Sequence, residues 1–161
     1  MALEKTKKHL HYLFLDTAPG TATPAWVRVG KSTEWTDSMN PATTTYDYIE
    51  DSSPTDEVDN YQPTASMPLT AYIGDPCYDF IFNLYFNQAT GSDAVTNVMR
   101  VFQQKSGEKN LALKSAALIT IDNYNIATGV ITFNIGQRGT PIHGTATVAN
   151  NVPTFEPTVA P

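Results

Sequence analysis

The side chains able to do chemistry are few and scattered. There are three histidines, His9, His11 and His143. His9-x-His11 places two imidazoles on one face of an extended segment, the beginning of a metal site. No third or fourth ligand follows at a metal-binding spacing. The one thiol, Cys77, falls in the first turn of an expected helix, where the helix dipole favours a thiolate. No His or Asn accompanies it in a recognised motif, and a buried structural cysteine is the simpler reading. Carboxylate pairs such as Glu50-Asp51 and Asp56-Glu57 lie in a polar stretch, where nothing predicts the desolvation that acid–base catalysis needs. The chain has no P-loop, dinucleotide fingerprint, nucleophile elbow or zinc spacing. The expectation is a non-enzyme with no metal and no cofactor.

Charge placement says more. Among 161 residues the net charge is −6, yet no Lys or Arg occurs from Ser32 to Met99. That stretch holds Glu34, Asp37, Asp47, Glu50, Asp51, Asp56, Glu57 and Asp59, besides Asp75, Asp79 and Asp93. Such a block repels phosphates, and its plainest reading is a solvated acidic loop. A single cysteine rules out an internal disulfide. No segment approaches the roughly 20 apolar residues of a membrane-spanning helix. Lys5, Lys7 and Lys8 precede an apolar run, but His11 breaks it and Asp16 ends it, which reads as a strand and not as a secretion signal.

These side chains must be carried by mostly extended elements. Strands are expected at Leu10–Leu15, Ala25–Lys31, Val95–Gln103, Ala116–Asp122, Val130–Gly136 and Thr145–Ala149. Within them Val27 and Val29 oppose Trp26 and Arg28, Ala117, Ile119 and Ile121 share one face, and so do Ile131, Phe133 and Ile135. A turn with Pro19, Gly20 and Pro24 separates the first two, and Ser106-Gly107 marks a hairpin loop. Thr43–Ile49 is rich in Thr and Tyr and reads as extended. Asp51–Asn60 has little to bury, and Pro68 demotes Ala65–Ile73 to an edge or irregular strand. Residues 34–67 therefore read as a long arm, two strands joined by an acidic tip. The tail 152–161, with three prolines, reads as loosely held.

One helix is expected at 76–88. Asp75 supplies the N-cap, Pro76 suits the first helical position, and Gly91 lies just beyond the end. Cys77, Phe80, Ile81, Leu84 and Tyr85 form an apolar stripe, while Tyr78, Phe82 and Phe86 fall outside it. A helix aromatic around most of its circumference needs two surfaces. They are its own sheet and either its own arm or a second subunit. The whole chain reads as a single mainly β domain, an antiparallel β-sandwich or barrel with one packed α-helix.

Several runs carry a family resemblance. They are Tyr46-Asp47-Tyr48-Ile49-Glu50-Asp51, Tyr61-Gln62-Pro63, and Ala71-Tyr72-Ile73-Gly74-Asp75-Pro76 leading into Asp79-Phe80-Ile81-Phe82. To these are added the turn Gly91 to Thr96, the strand Val130 to Asn134, the run Gly144 to Val148, and Thr154-Phe155. In this pattern the chain resembles the major tail tube proteins of long-tailed, siphovirus-type bacteriophages. The N-terminal forty residues carry little of it. The resemblance implies a virion protein assembled in the host bacterial cytoplasm. Its partners would be itself, in hexameric rings stacked into a tube, and other tail proteins. It also implies passage of double-stranded DNA down the lumen without sticking, and no membrane partner. On this reading Tyr46, Tyr48, Ile49 and Tyr61 belong to an inter-ring arm, and Tyr78, Phe82 and Phe86 to an inter-subunit helix face. The acids Glu34, Asp37, Asp47, Glu50, Asp51, Asp56, Glu57 and Asp59 are candidates for the lumen wall. Two other readings remain. One is a capsid decoration or head–tail joining protein. The other is a carbohydrate-binding β-sandwich using Trp26, Trp35 and tyrosines as a stacking platform.

Overall fold

The computed structural model describes residues 2–158. A main antiparallel sheet has the order β2-β1-β7-β8-β9-β6-β3, with β10 added to β9. Its strands are β1 (Tyr12–Asp16), β2 (Trp26–Arg28), β3 (Asp37–Ser38), β6 (Thr64–Thr70), β7 (Val95–Ser106), β8 (Lys109–Asn125), β9 (Val130–Ala149) and β10 (Val152–Pro157). A separate two-stranded sheet pairs β4 (Pro41–Tyr46) with β5 (Thr55–Tyr61). Among the described residues the one α-helix, α1, spans Pro76–Phe86. The fold is mainly β, an antiparallel β-sandwich with one packed helix.

The long meander β7–β8–β9 is the frame. Gly107, with φ 68°, opens the tight turn between β7 and β8, a position where glycine avoids the Cβ clash of positive φ. The free edge of β9 serves two partners in succession. Residues 130–136 pair with β6, and residues 144–149 pair with β10. Across the sheet, alternate side chains feed two clusters on opposite faces. Leu13, Leu15, Val98, Ala117, Ile119, Ile131, Phe133 and Ile135 lie in the larger one, with Ala65, Met67 and Leu69 of β6 and Cys77, Tyr78 and Ile81 of α1. Phe14, Met99, Val101, Ala112 and Ala146 form the smaller one, beneath Tyr12, Trp26 and Phe155. Because both faces are covered there, Leu13, Phe14 and Leu15 are all buried and the strand reads as an unbroken apolar run.

Several expectations are corrected. The first strand begins at Tyr12, and Lys8–Leu10 form a short 3-10 turn, so His9 and His11 do not share a strand face. The arm ends at Tyr61, not at residue 67. Thr64–Thr70 is a core strand whose Ala65, Met67 and Leu69 point inward. Pro68 is tolerated because beyond β6 the sheet carries only the two residues of β3 and a bridge from Ser32 to Leu69. The tail is not loosely held over 152–157. It is β10, with Pro153 opposite Val148 and Pro157 opposite Gly144. Residues 159–161 of that tail lie outside the described residues.

The helix stops at Phe86, two residues early. Gln88 takes the left-handed conformation (φ 48°), its amide donates to the Tyr85 carbonyl and the Ala89 amide donates to that of Leu84. This closes the helix end as a Schellman motif in which Gln88 stands where glycine is usual. At the other end Asp75 accepts from the Cys77 amide at 3.3 Å, as the sequence predicts.

Candidate assembly surfaces

The hairpin β4–β5 has no core of its own. All seven residues of β5 are exposed, and β4 is at most half-buried. A two-stranded hairpin of this kind is marginal alone in water. Its exposed apolar groups are Tyr48, Ile49, Val58 and Tyr61, and Tyr46 stacks on Tyr48 with centroids 5.6 Å apart. A β-bulge at Asp59 interrupts the register between Ala42 and Thr43. Thr44 donates to the Asp59 carboxylate and Thr45 to that of Asp56, the latter at 2.6 Å. At the base, the Gln62 amide donates to the Met39 carbonyl and the Asn40 side chain donates to the Gln62 carbonyl. The four arm residues named from sequence therefore come together on one projection.

The eight candidate wall acids do not form one set. Asp47, Glu50, Asp51, Asp56, Glu57 and Asp59 ride on the hairpin, and Glu34 is exposed in the loop before it. Asp37 is corrected. It is half-buried, accepts from the Trp35 indole at 3.1 Å, and pairs with the Arg100 guanidinium at 3.2 Å. Arg100 is only 4% exposed. A buried guanidinium without a counter-charge is costly, so Asp37 is committed to its pair with Arg100. This pair, which ties the root of the arm to β7, had no sequence signal, because nothing local marks Arg100 as inward-facing.

The helix residues also divide. Tyr78 is corrected from an inter-subunit position. It is buried in its own domain and shares a 3.0 Å hydrogen bond with the Tyr124 hydroxyl. Phe82 is half-buried among Tyr78, Tyr85 and Tyr124. Phe86 is 72% exposed, stacked only on Phe82. Beside it a groove of 720 Å³ opens between the end of α1 and β8, lined by Leu84, Tyr85, Phe86, Leu118 and Ile121 among others. Phe82→Asp would therefore destabilise the monomer itself, and Phe86→Asp is the informative change. It is expected to leave the melting temperature within about 2 °C and to weaken self-association. Sedimentation of the variant at matched concentration checks this, and unchanged association removes Phe86 from the interface.

Cys77 is fully buried at the start of α1, and burial, with the Asp75 carboxylate adding, pushes its thiol up to about 12. Burial outweighs the helix dipole here, and the thiol is held neutral. The Tyr78 hydroxyl is also pushed up to about 12, first by its hydrogen bond with Tyr124 and then by burial. Both shifts are upward. Their contribution to stability is therefore complete below the unfolded values, about 8.5 for Cys and 10 for Tyr, and is lost progressively as pH rises from those values through about 12. The melting temperature is expected to stay level from about pH 7 to 8.5 and to fall above it. Cys77→Ala should delay the onset of that fall to about pH 10. A melting temperature level to pH 11 would contradict this account.

Trp35 packs against the larger cluster and Trp26 against the smaller one, on the opposite face of the sheet, so the two indoles form no common platform. Lys114 sits 5.8 Å from the Trp26 ring and 5.9 Å from the Phe155 ring, occupying the space between them. No protein-family model and no curated protein matches the chain.

Proposed function

We propose that this chain is a structural virion protein that self-assembles into rings stacked as a phage tail tube. The observation that carries the reading is the β4–β5 hairpin, an ordered projection with exposed tyrosines and no interior of its own. Such an element gains its burial from another molecule. The exposed Phe86 beside the α1–β8 groove supplies a second apolar surface of the same kind. The net charge of −6 disfavours tight phosphate contact, which suits a wall past which a duplex must slide. Ring number, the phage tail location and contact with other tail proteins rest on the family resemblance.

Negative-stain electron microscopy of the purified protein across a concentration series is the test. Hollow, open-ended tubes are expected. Closed trimers or monomers that coat preformed capsids would instead favour a decoration protein, and monomers with glycan affinity a binding module.

A further inference from the structure

Basic residues gather at one end of the main sheet. The β7–β8 turn, the start of β1 and the end of β9 lie at one end of the main sheet, since Tyr12 pairs with Val101, Ser106 with Lys109 and Asn110 with Ala146. Lys105 and Lys109 flank that turn. The segment before β1 is tied to the same end by the Lys7 amide, which donates to the Gln103 side chain, and by Arg28, which donates to the His9 carbonyl. It brings Lys5, Lys7 and Lys8. The acids at this end are Glu4, paired with Lys7, Glu156, paired with Lys109, and Glu108 in the turn. Lys5, Lys8 and Lys105 have no ion-pair partner among the described residues.

The hairpin is the complement. From Pro41 to Tyr61 it carries Asp47, Glu50, Asp51, Asp56, Glu57 and Asp59 and no basic residue. Among the described residues none of these carboxylates lies within ion-pair distance of a Lys or Arg of its own chain. Two unpaired patches of opposite sign on one chain, one of them on a strand pair without a core, fit each other across a contact between copies better than either fits solvent.

We propose that the lysine-rich end of one copy, built by Lys5, Lys8 and Lys105, receives the acidic hairpin of a second copy. This rests on the self-assembly reading and names a contact between two unlike surfaces of neighbouring copies. It gives the polymer a direction, because the two surfaces are different and cannot pair with themselves. The hairpin's Tyr48 and Ile49 add an apolar component, so the charges set orientation and the rings retain some salt-resistant adhesion.

Two charge-reversal variants test it. One is Lys5→Glu with Lys8→Glu and Lys105→Glu. The other is Asp47→Lys with Glu50→Lys and Asp51→Lys, chosen in the exposed tip, where no carboxylate hydrogen bond is lost. Each alone is expected to raise the critical concentration for polymerisation about tenfold, because three exposed pairs turn from attractive to repulsive. The chain carrying both sets should return to within about threefold of the wild type. Circular dichroism and melting of each variant establish that the fold is kept. If both single sets polymerise as the wild type does, this contact is wrong while self-assembly stands. If the lysine reversal abolishes binding of a short DNA duplex and leaves polymerisation unchanged, the patch is a nucleic-acid surface and the inference is overturned. A wild type that forms no polymer overturns both this contact and the proposed function.

Discussion

Excising the hairpin is expected to leave a folded monomer that no longer polymerises. The cut is Pro41 to Tyr61, replaced by a short Gly-Ser linker. Its ends already meet, through the Gln62 amide on the Met39 carbonyl and the Asn40 side chain on the Gln62 carbonyl, so little loop-closure entropy is added. No buried residue is lost, because none of the removed side chains belongs to either cluster. The melting temperature should change by no more than about 3 °C, since surface changes of this kind cost a few tenths of a kcal/mol. Assembly should fail altogether, with monomers only in sedimentation and no tubes by microscopy at any concentration the wild type polymerises. Removing only Asp51–Asn60 would be a poorer experiment, because it strips β5 and leaves β4 unpaired. Tubes from the excised chain would rule out the hairpin as the contact between copies. A chain that fails to fold would mean that the hairpin supports the domain, contrary to its exposure.

Gly144→Val is expected to destabilise the fold strongly although it removes no contact. Gly144 sits in β9 opposite Pro157, under the Phe155 ring of β10. A Cβ there would come within 2.3 Å of the Glu156 carbonyl oxygen and 2.7 Å of the Phe155 ring. A backbone carbonyl cannot rotate away as a side chain can, so β10 must lift from the sheet. Overpacking of this sort costs about 3 kcal/mol, and for a chain of this size that lowers the melting temperature by roughly 6 to 12 °C. Gly136→Ala is the control. Its Cβ would meet only the Leu118 carbonyl at 3.8 Å, an ordinary contact, and the change should be within about 0.5 kcal/mol of neutral. Equal melting temperatures for the two variants would show that β10 moves aside freely.

How far the sequence discloses this architecture depends on where its periodicity is clean. The stretch Ala116–Asp122 and the first half of β9 alternate without interruption at Ala117, Ile119, Ile121 and at Ile131, Phe133, Ile135, and both were legible, whereas β8 itself begins earlier, at Lys109. The start of α1 was legible because Asp75-Pro76 is a local signal. The remainder was hidden by proline and glycine acting for non-local reasons. Ala65, Met67 and Leu69 have the period of a core strand, but Pro68 argues against one until the neighbouring edge is known to be nearly bare. β9 reads as ending at Gly136 because Gly139, Pro141 and Gly144 follow. In fact residues 139–141 form a bulge opposite Ser115, where Pro141 gives up no ladder bond, and Gly144 makes room for an aromatic ring. The acidic arm was visible as composition. Which acids it carries was not, because Asp37 is withdrawn from it by Arg100, far away in sequence.

The pairing of β1 with β7 has a bearing on how the chain is made. Thr96 of β7 hydrogen-bonds the Asp16 carbonyl across 80 residues of sequence. The first strand emerges from the ribosome long before its partner. At about 5 to 20 residues per second the wait is roughly 4 to 16 s. During that interval Leu13, Phe14 and Leu15 are without cover, and the acidic hairpin is synthesised before the sheet that anchors it. The three-strand meander β7–β8–β9 closes from neighbouring segments, so it can form quickly once its own residues are made. Nascent chains that meet on a polysome therefore do so with β1 paired at most to β2, a state in which the carboxylates between Glu34 and Asp59, by mutual repulsion between chains, help keep the uncovered apolar strand soluble.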